Sequence, residues 1–202
     1  MLCELTRRPG SSDNVAAMGK IYLVRHPAPQ ISAALPAQQW GLSETGREQV
    51  QRLLQAAWWP QVRHIYTSPE PKAQAVAAAA AERFDLPFSV HPELAELRRP
   101  PKMLPDYKEW VVRAFAAPEE ALPGGESVAS AGERVWRFVR ETIGAGPLPA
   151  ALVSHGIVLS TLRARLLGQT QVAPRDWEAL PFGAVAQVES LDWSWAEDFR
   201  AP

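Results

Sequence analysis

A single cysteine, Cys3, stands in 202 residues, which excludes an intramolecular disulfide and a thiolate zinc site and gives no sign of an oxidising compartment. Cytoplasm is the expected location. An excess of one charge is missing too: 21 basic against 22 acidic residues leave a formal net charge of -1, so no global field draws the chain to nucleic acid or an anionic membrane. Any anion site has to be local. The most apolar-looking run, Ala73 to Ala81, is broken by Gln74 and falls far short of the roughly 18 residues that a membrane span needs. His64 and His91 show neither the HxH nor the HExxH spacing of a metal site, so neither metal nor cofactor is expected. What remains, 47% hydrophobic and 21% charged residues, is the composition of a folded globular chain, and its length suits one domain.

Residues 1–17 carry Glu4, Arg7, Arg8, Pro9 and Asp13 without a hydrophobic stretch. They read as a disordered extension and not as a secretory signal, with Met18 the expected natural start of a domain over 18–202. Ile21 to Val24 is a β-branched, apolar run that ends abruptly in Arg25-His26-Pro27, as a buried strand ends at a polar loop. Ser43 and Glu44 open a helix whose Val50, Leu53, Leu54 and Ala57 recur at helical spacing before Pro60. Val62 to Tyr66 reads as a second strand, Lys72 to Phe84 as an alanine-rich helix, and Phe88 to Val90 as a third strand.

Five prolines between Leu97 and Gly125, Pro100, Pro101, Pro105, Pro118 and Pro123, prevent one continuous element there. This segment is expected to form an inserted lid over about 97–126, with a short helix near Tyr107 to Phe115. A helix with one apolar face follows from Val128 to Thr142. Ala150 to Ser154 is the next strand and ends in His155-Gly156. A further helix from Val158 to Leu166 closes at Gly168, and Ala184 to Val188 is the expected final strand. The alternation predicts one α/β domain of three layers, a mostly parallel central sheet flanked by helices.

In open α/β sheets ligands collect beyond the carboxyl ends of strands, which places Arg25, His26 and His155 together in a surface cleft. Arginine grips an oxyanion with forked hydrogen bonds, one histidine acts as nucleophile near neutral pH, and a second donates to developing charge. That set suits phosphoryl transfer. Either histidine alone is more simply a packing residue at a loop end; the joint placement favours chemistry. The eight tryptophans come without a basic stripe, so core or interface roles are expected of them and not base stacking.

Leu23-Val24-Arg25-His26 and Ser154-His155-Gly156 resemble the opening and closing motifs of the histidine phosphatase superfamily, also called phosphoglycerate mutase-like. Between them stand Leu42 to Gln49, Thr67-Ser68-Pro69-Glu70-Pro71-Lys72-Ala73, Glu93-Leu94-Ala95-Glu96 and Pro123-Gly124-Gly125-Glu126-Ser127, in the family's order. The resemblance covers about Lys20 to Glu189. It implies a metal-independent phosphomonoesterase in which His26 attacks phosphorus, a phosphohistidine forms, and water releases phosphate. It further implies that Arg25, Lys72, His155 and Gly156 bind the phosphoryl group and that Glu96 protonates the leaving oxygen, with Glu93 its competitor.

Three departures stand out: Pro27 in place of a glycine, Lys72 in place of the second arginine, and Leu97-Arg98-Arg99-Pro100-Pro101 in place of a glycine and tryptophan pattern. Lysine keeps the charge and loses the fork. Arg98, Arg99 and Lys102 are candidates to reach an anionic substrate, against the simpler reading of a solvated charge cluster. A small phosphorylated substrate is the expected partner, nucleic acid and membrane are not, and a homodimer stays open. The alternatives are a phosphomutase, a phosphoprotein phosphatase, or a noncatalytic phosphate-binding protein on the same fold.

Overall fold

Four consecutive apolar side chains, Ile21, Tyr22, Leu23 and Val24, are all buried in β1 (Lys20–Arg25), and a run without polar alternation has to be covered on both faces. The structure, a computed structural model, describes residues 19–99, 106–121, 124–190 and 192–201. The expected N-terminal extension, Met18, Lys102, and the prolines at 100, 101, 105 and 123 lie outside the described residues.

The remaining elements are α1 (Glu44–Leu53), β2 (His64–Thr67), α2 (Pro71–Phe84), β3 (Phe88–Val90), α3 (Tyr107–Ala116), α4 (Val128–Phe138), β4 (Ala150–Ser154), α5 (Gly156–Leu166), α6 (Pro174–Glu178), β5 (Val185–Glu189) and β6 (Ser194–Arg200). The strands form one sheet in the order β3-β2-β4-β1-β5-β6. Strands β3, β2, β4 and β1 run parallel, and β5 and β6 add an antiparallel edge.

Successive strand side chains point to opposite faces, and the core divides accordingly. On one face Ile21, Leu23, Ala150 and Leu152 pack with Val111 and Phe115 of α3, Ala131 and Val135 of α4, and Ile157 and Leu162 of α5. On the other face Tyr22, Val24, Ala151 and Val153 pack with Val50 and Leu53 of α1 and Val76, Ala77 and Ala80 of α2.

Several boundaries differ from expectation. Strand β2 begins at His64 because Trp59–Gln61 form a 3-10 turn that Val62 caps. Helix α4 ends at Phe138 and passes into a π-helical turn, Val139–Ile143. Val185–Glu189 is not the last strand: β6 follows it, an edge strand in which Trp195 and Phe199 are half-buried amid exposed polar residues and the pairing is irregular. Its weak alternation hid it. The α6 turn was also unanticipated; Pro174 at its first position sets the start.

The loop after β1 is anchored on α1. Ser43 caps that helix by accepting from the Gly46 N–H at 3.0 Å, and both the Ser43 N–H and hydroxyl donate to the Ala28 carbonyl, at 3.0 and 3.1 Å. A Cβ on Gly46 would fall 2.1 Å from that same carbonyl oxygen, so only glycine lets the loop lie there. Gly46→Ala is expected to cost about 1–3 kcal/mol, as overpacking does, read as a lowered urea midpoint; an unchanged midpoint would show the loop free to move.

Candidate active site

Strand pairing builds the site. β1 and β4 run parallel with Arg25 opposite Ser154, so the residues that follow each strand emerge side by side. The His26 N–H donates to the Ser154 carbonyl at 2.9 Å, and the rings of His26 and His155 lie with centroids 5.0 Å apart.

His26 is 5% exposed, so it sits in a buried recess and not in the open surface cleft expected of it. Its Nδ1 is 2.7 Å from the Pro27 carbonyl. A carbonyl only accepts, so Nδ1 carries the proton and Nε2 holds the lone pair. Burial holds the imidazole well below its ordinary range, and the neighbouring His155, Lys72 and Arg25 press it in the same direction. Near neutral pH the ring is therefore uncharged. Proline at 27 loses an N–H but still provides the carbonyl that sets this tautomer.

Arg25 donates through Nη1 to the Leu180 carbonyl and stacks over Phe182, 4.2 Å from the ring centroid. Its Nε is buried without a hydrogen-bond partner among the described residues. Gly156 opens α5, and a Cβ there would lie 3.1 Å from both Arg25 Nη2 and Trp177 Nε1. Glycine thus lets the guanidinium close on the helix N-terminus.

His155 is fully buried. Its Nε2 lies 2.6 Å from Ser68 Oγ and 3.5 Å from Glu70 Oε1, while Nδ1 has no partner among the described residues. Burial, followed by Lys72 and Arg25, holds this imidazole well below its ordinary range as well.

Lys72, in the first turn of α2, is 5% exposed, so its ammonium lies inside the recess and not in solvent. It donates to the Ala37 carbonyl at 2.8 Å and to Glu70 Oε2. Sequence reasoning passed over Glu70, although an acid two residues before the expected phosphate cation was a readable signal. Glu70 Oε1 accepts the Glu96 N–H at 2.9 Å.

Glu96 Oε2 accepts from Ile157 N–H at 3.0 Å, and Oε1 from Val158 and Leu97 N–H at 3.2 and 2.9 Å. The carboxylate therefore caps α5, where unpaired N–H groups and the helix dipole favour an anion. Burial nonetheless raises its proton affinity, and Glu70 adds to that, against the opposing pull of these N–H groups.

Glu93 lies elsewhere. Its backbone carbonyl accepts from Arg134 Nη1 at 2.5 Å, and its side chain lines a separate cavity with Glu133, Arg134 and Arg137. Arg134, also missed in the sequence, grips Glu126 at 2.8 and 2.9 Å and the Ala95 carbonyl at 3.1 Å, which fixes the segment carrying Glu96. Arg98 is exposed and 3.6 Å from Glu126. Arg99 stacks on Tyr107 at 4.4 Å, whose hydroxyl is pushed up to about 12 by burial and the nearby Glu96. His64 and His91 share Ser89 Oγ at 2.8 and 2.7 Å, a packing arrangement at the β3 edge. No three His, Cys, Asp or Glu side chains among the described residues come together as metal ligands, and no described helix is long and apolar enough to cross a membrane.

A family model described as histidine phosphatase superfamily (branch 1) matches residues 21–197. The chain belongs to the histidine phosphatase superfamily. No curated protein matches it significantly in sequence. Among solved structures, a mycobacterial glucosyl-3-phosphoglycerate phosphatase aligns at TM-score 0.69 and 21% identity, over 91% of this chain and 98% of that one. Bacillus stearothermophilus YhfR aligns at 0.71 and 21%, over 90% and 96%. TTHB049 from Thermus thermophilus aligns at 0.63 and 26%, over 91% and 99%. These likenesses of fold span about nine-tenths of this chain and nearly all of each neighbour.

Two neutral buried histidines have a consequence for acid stability. Below about pH 6.5 the unfolded chain takes up protons that the folded chain refuses. Stability is therefore complete above that value and falls as pH drops below it, down to the folded-state values, by about 1.4 kcal/mol per pH unit for each such histidine. Denaturant unfolding between pH 7 and 5 should give His26→Gln a shallower slope than the parent by about that amount; equal slopes would place the proton on His26 in the folded state.

Proposed function

We propose that this chain is a metal-independent phosphomonoesterase that hydrolyses a small-molecule phosphate through a phosphohistidine at His26. One observation carries the reading: a neutral imidazole, its tautomer set by the Pro27 carbonyl, beside the unpartnered buried N–H of Arg25 Nε and the unpartnered ring nitrogen His155 Nδ1. A nucleophile with a free lone pair beside a guanidinium N–H aimed at nothing else suits an arriving phosphoryl group. The phosphatase named for the mycobacterial neighbour, also solved with inorganic phosphate, supports the class and leaves the substrate open.

In the first step His26 Nε2 forms a bond to phosphorus while the bond to the leaving oxygen breaks and its electron pair departs with that oxygen. Glu96, whose burial favours the protonated form, gives its proton to the oxygen. The ring, now phosphorylated and cationic, keeps its Nδ1–H on the Pro27 carbonyl. Arg25, Lys72, His155 and the α5 N-terminus at Gly156 neutralise the equatorial oxygens. In the second step the Glu96 carboxylate takes a proton from water, the water oxygen attacks phosphorus, and the N–P bond breaks to return neutral His26 and inorganic phosphate. Departure of the alcohol and entry of water, in place of a second substrate hydroxyl, separate this from a phosphomutase.

A metabolite-phosphate screen in the presence of chelator should reveal turnover. His26→Ala should abolish both turnover and the acid-labile phosphoprotein seen by mass spectrometry; undiminished labelling would reassign the nucleophile. Glu96→Gln should slow alkyl phosphates about 10²-fold or more, and activated aryl phosphates far less, because only the alkyl leaving group needs a proton. Equal losses on both substrates, or a larger selective loss in Glu93→Gln, would take the acid role from Glu96.

A further inference from the structure

Glu70 is an anomaly in a pocket for anions: a carboxylate only 4% exposed that accepts from the cation meant to hold phosphate. We propose, resting on the phosphatase reading, that Glu70 is a built-in counter-charge whose carboxylate offsets Lys72 and so keeps the pocket's hold on phosphate weak.

Four contacts fix its place. Oε2 takes a hydrogen bond from Lys72 Nζ, Oε1 takes the Glu96 N–H at 2.9 Å and faces His155 Nε2 at 3.5 Å, and the Glu70 N–H donates to Ser68 Oγ at 3.2 Å. The carboxylate therefore touches the segments that carry Lys72, His155 and Glu96. An ammonium has three donors; Ala37 and Glu70 take two, leaving one N–H for a phosphoryl oxygen. Lys72 thus keeps its geometry for the substrate while its charge is already met.

With His26 and His155 neutral and burial favouring protonated Glu96, the fixed cations Arg25 and Lys72 face the Glu70 carboxylate, which meets one of the pocket's two positive charges. Holding a segment in place does not require this ion pair. An amide would accept the same Glu96 N–H without the desolvation cost of burying a second carboxylate. What only the carboxylate supplies is negative charge beside the bound anion. That charge opposes substrate and product phosphate alike, so it acts on uniform binding: it raises KM and the phosphate dissociation constant together and leaves kcat less affected.

The test is calorimetric binding of inorganic phosphate and vanadate to the full chain and to Glu70→Gln and Glu70→Ala, with steady-state kinetics on one activated ester. Both variants should bind phosphate about tenfold tighter or more, because removing one unit charge beside an anion at an effective dielectric of about 20 exceeds that factor. KM should fall with it. The gain should shrink when Glu70→Gln is made in a Lys72→Ala background, where no cation remains to be released.

A purely positional Glu70 predicts the opposite pattern, with unchanged affinity in Glu70→Gln and weaker binding in Glu70→Ala, and that result would overturn the proposal. Phosphate binding that is present and equal in all three proteins removes only the counter-charge. Failure of all three to bind phosphate or vanadate removes the anion pocket itself, and the phosphatase reading with it.

Discussion

The parallel pairing of β1 with β4 is the constraint on which the site depends. Arg25 and Ser154 are register partners, so the chain leaves both strands at one level and His26 and His155 become neighbours although well over a hundred residues separate them. A slip of one residue would turn every side chain of β1 to the opposite face and send Arg25 into the wrong layer. Register is held because the buried apolar runs Ile21 to Val24 and Ala150 to Val153 are matched end to end, so a slip would draw the charged Lys20 or Arg25 into the core.

Around that junction the polar groups are largely cross-braced by backbone. Glu96 is held by three N–H groups, two of them from the first turn of α5, and Arg25 by the Leu180 carbonyl. Arg134 ties the Glu93 and Ala95 carbonyls to Glu126. Side chains fixed through main-chain partners hold their geometry before substrate arrives, which is the condition for preorganised electrostatic stabilisation. Of the three buried side-chain atoms without partners among the described residues, two, Arg25 Nε and His155 Nδ1, gather in this same recess, where a buried unsatisfied polar atom is costly unless a ligand meets it.

Burial sets the proton inventory. It leaves both histidines neutral and makes Glu96 more reluctant to ionise, so the proposed nucleophile keeps its lone pair free and the proposed acid holds its proton more tightly under the same conditions. Opposite demands on a base and an acid are met by one environment, because low dielectric disfavours whichever form carries charge.

The strands β1 and β4, the helices α1 and α2, and the short helix α3 inside the expected lid were legible because their apolar periodicity and their stops at Ser43, Pro60 and the Arg25-His26-Pro27 junction are local signals. The histidine phosphatase motifs likewise drew attention to His26, His155 and Glu96, which the fold brings to the ends of β1 and β4 and the start of α5. Edge strand β6 was illegible, since its Trp195 and Phe199 pack only against one side of a strand pair. Glu70 and Arg134 were missed for a related reason: a charged side chain in isolation reads as solvated, and only packing shows it buried against a lysine or a pair of carbonyls. By itself the sequence determined the buried strands and the long amphipathic helices and which residue types end them, since those follow from side-chain period and backbone sterics. The tertiary structure alone decided which charges face one another, because desolvation and pairing depend on what the fold brings within a few ångströms.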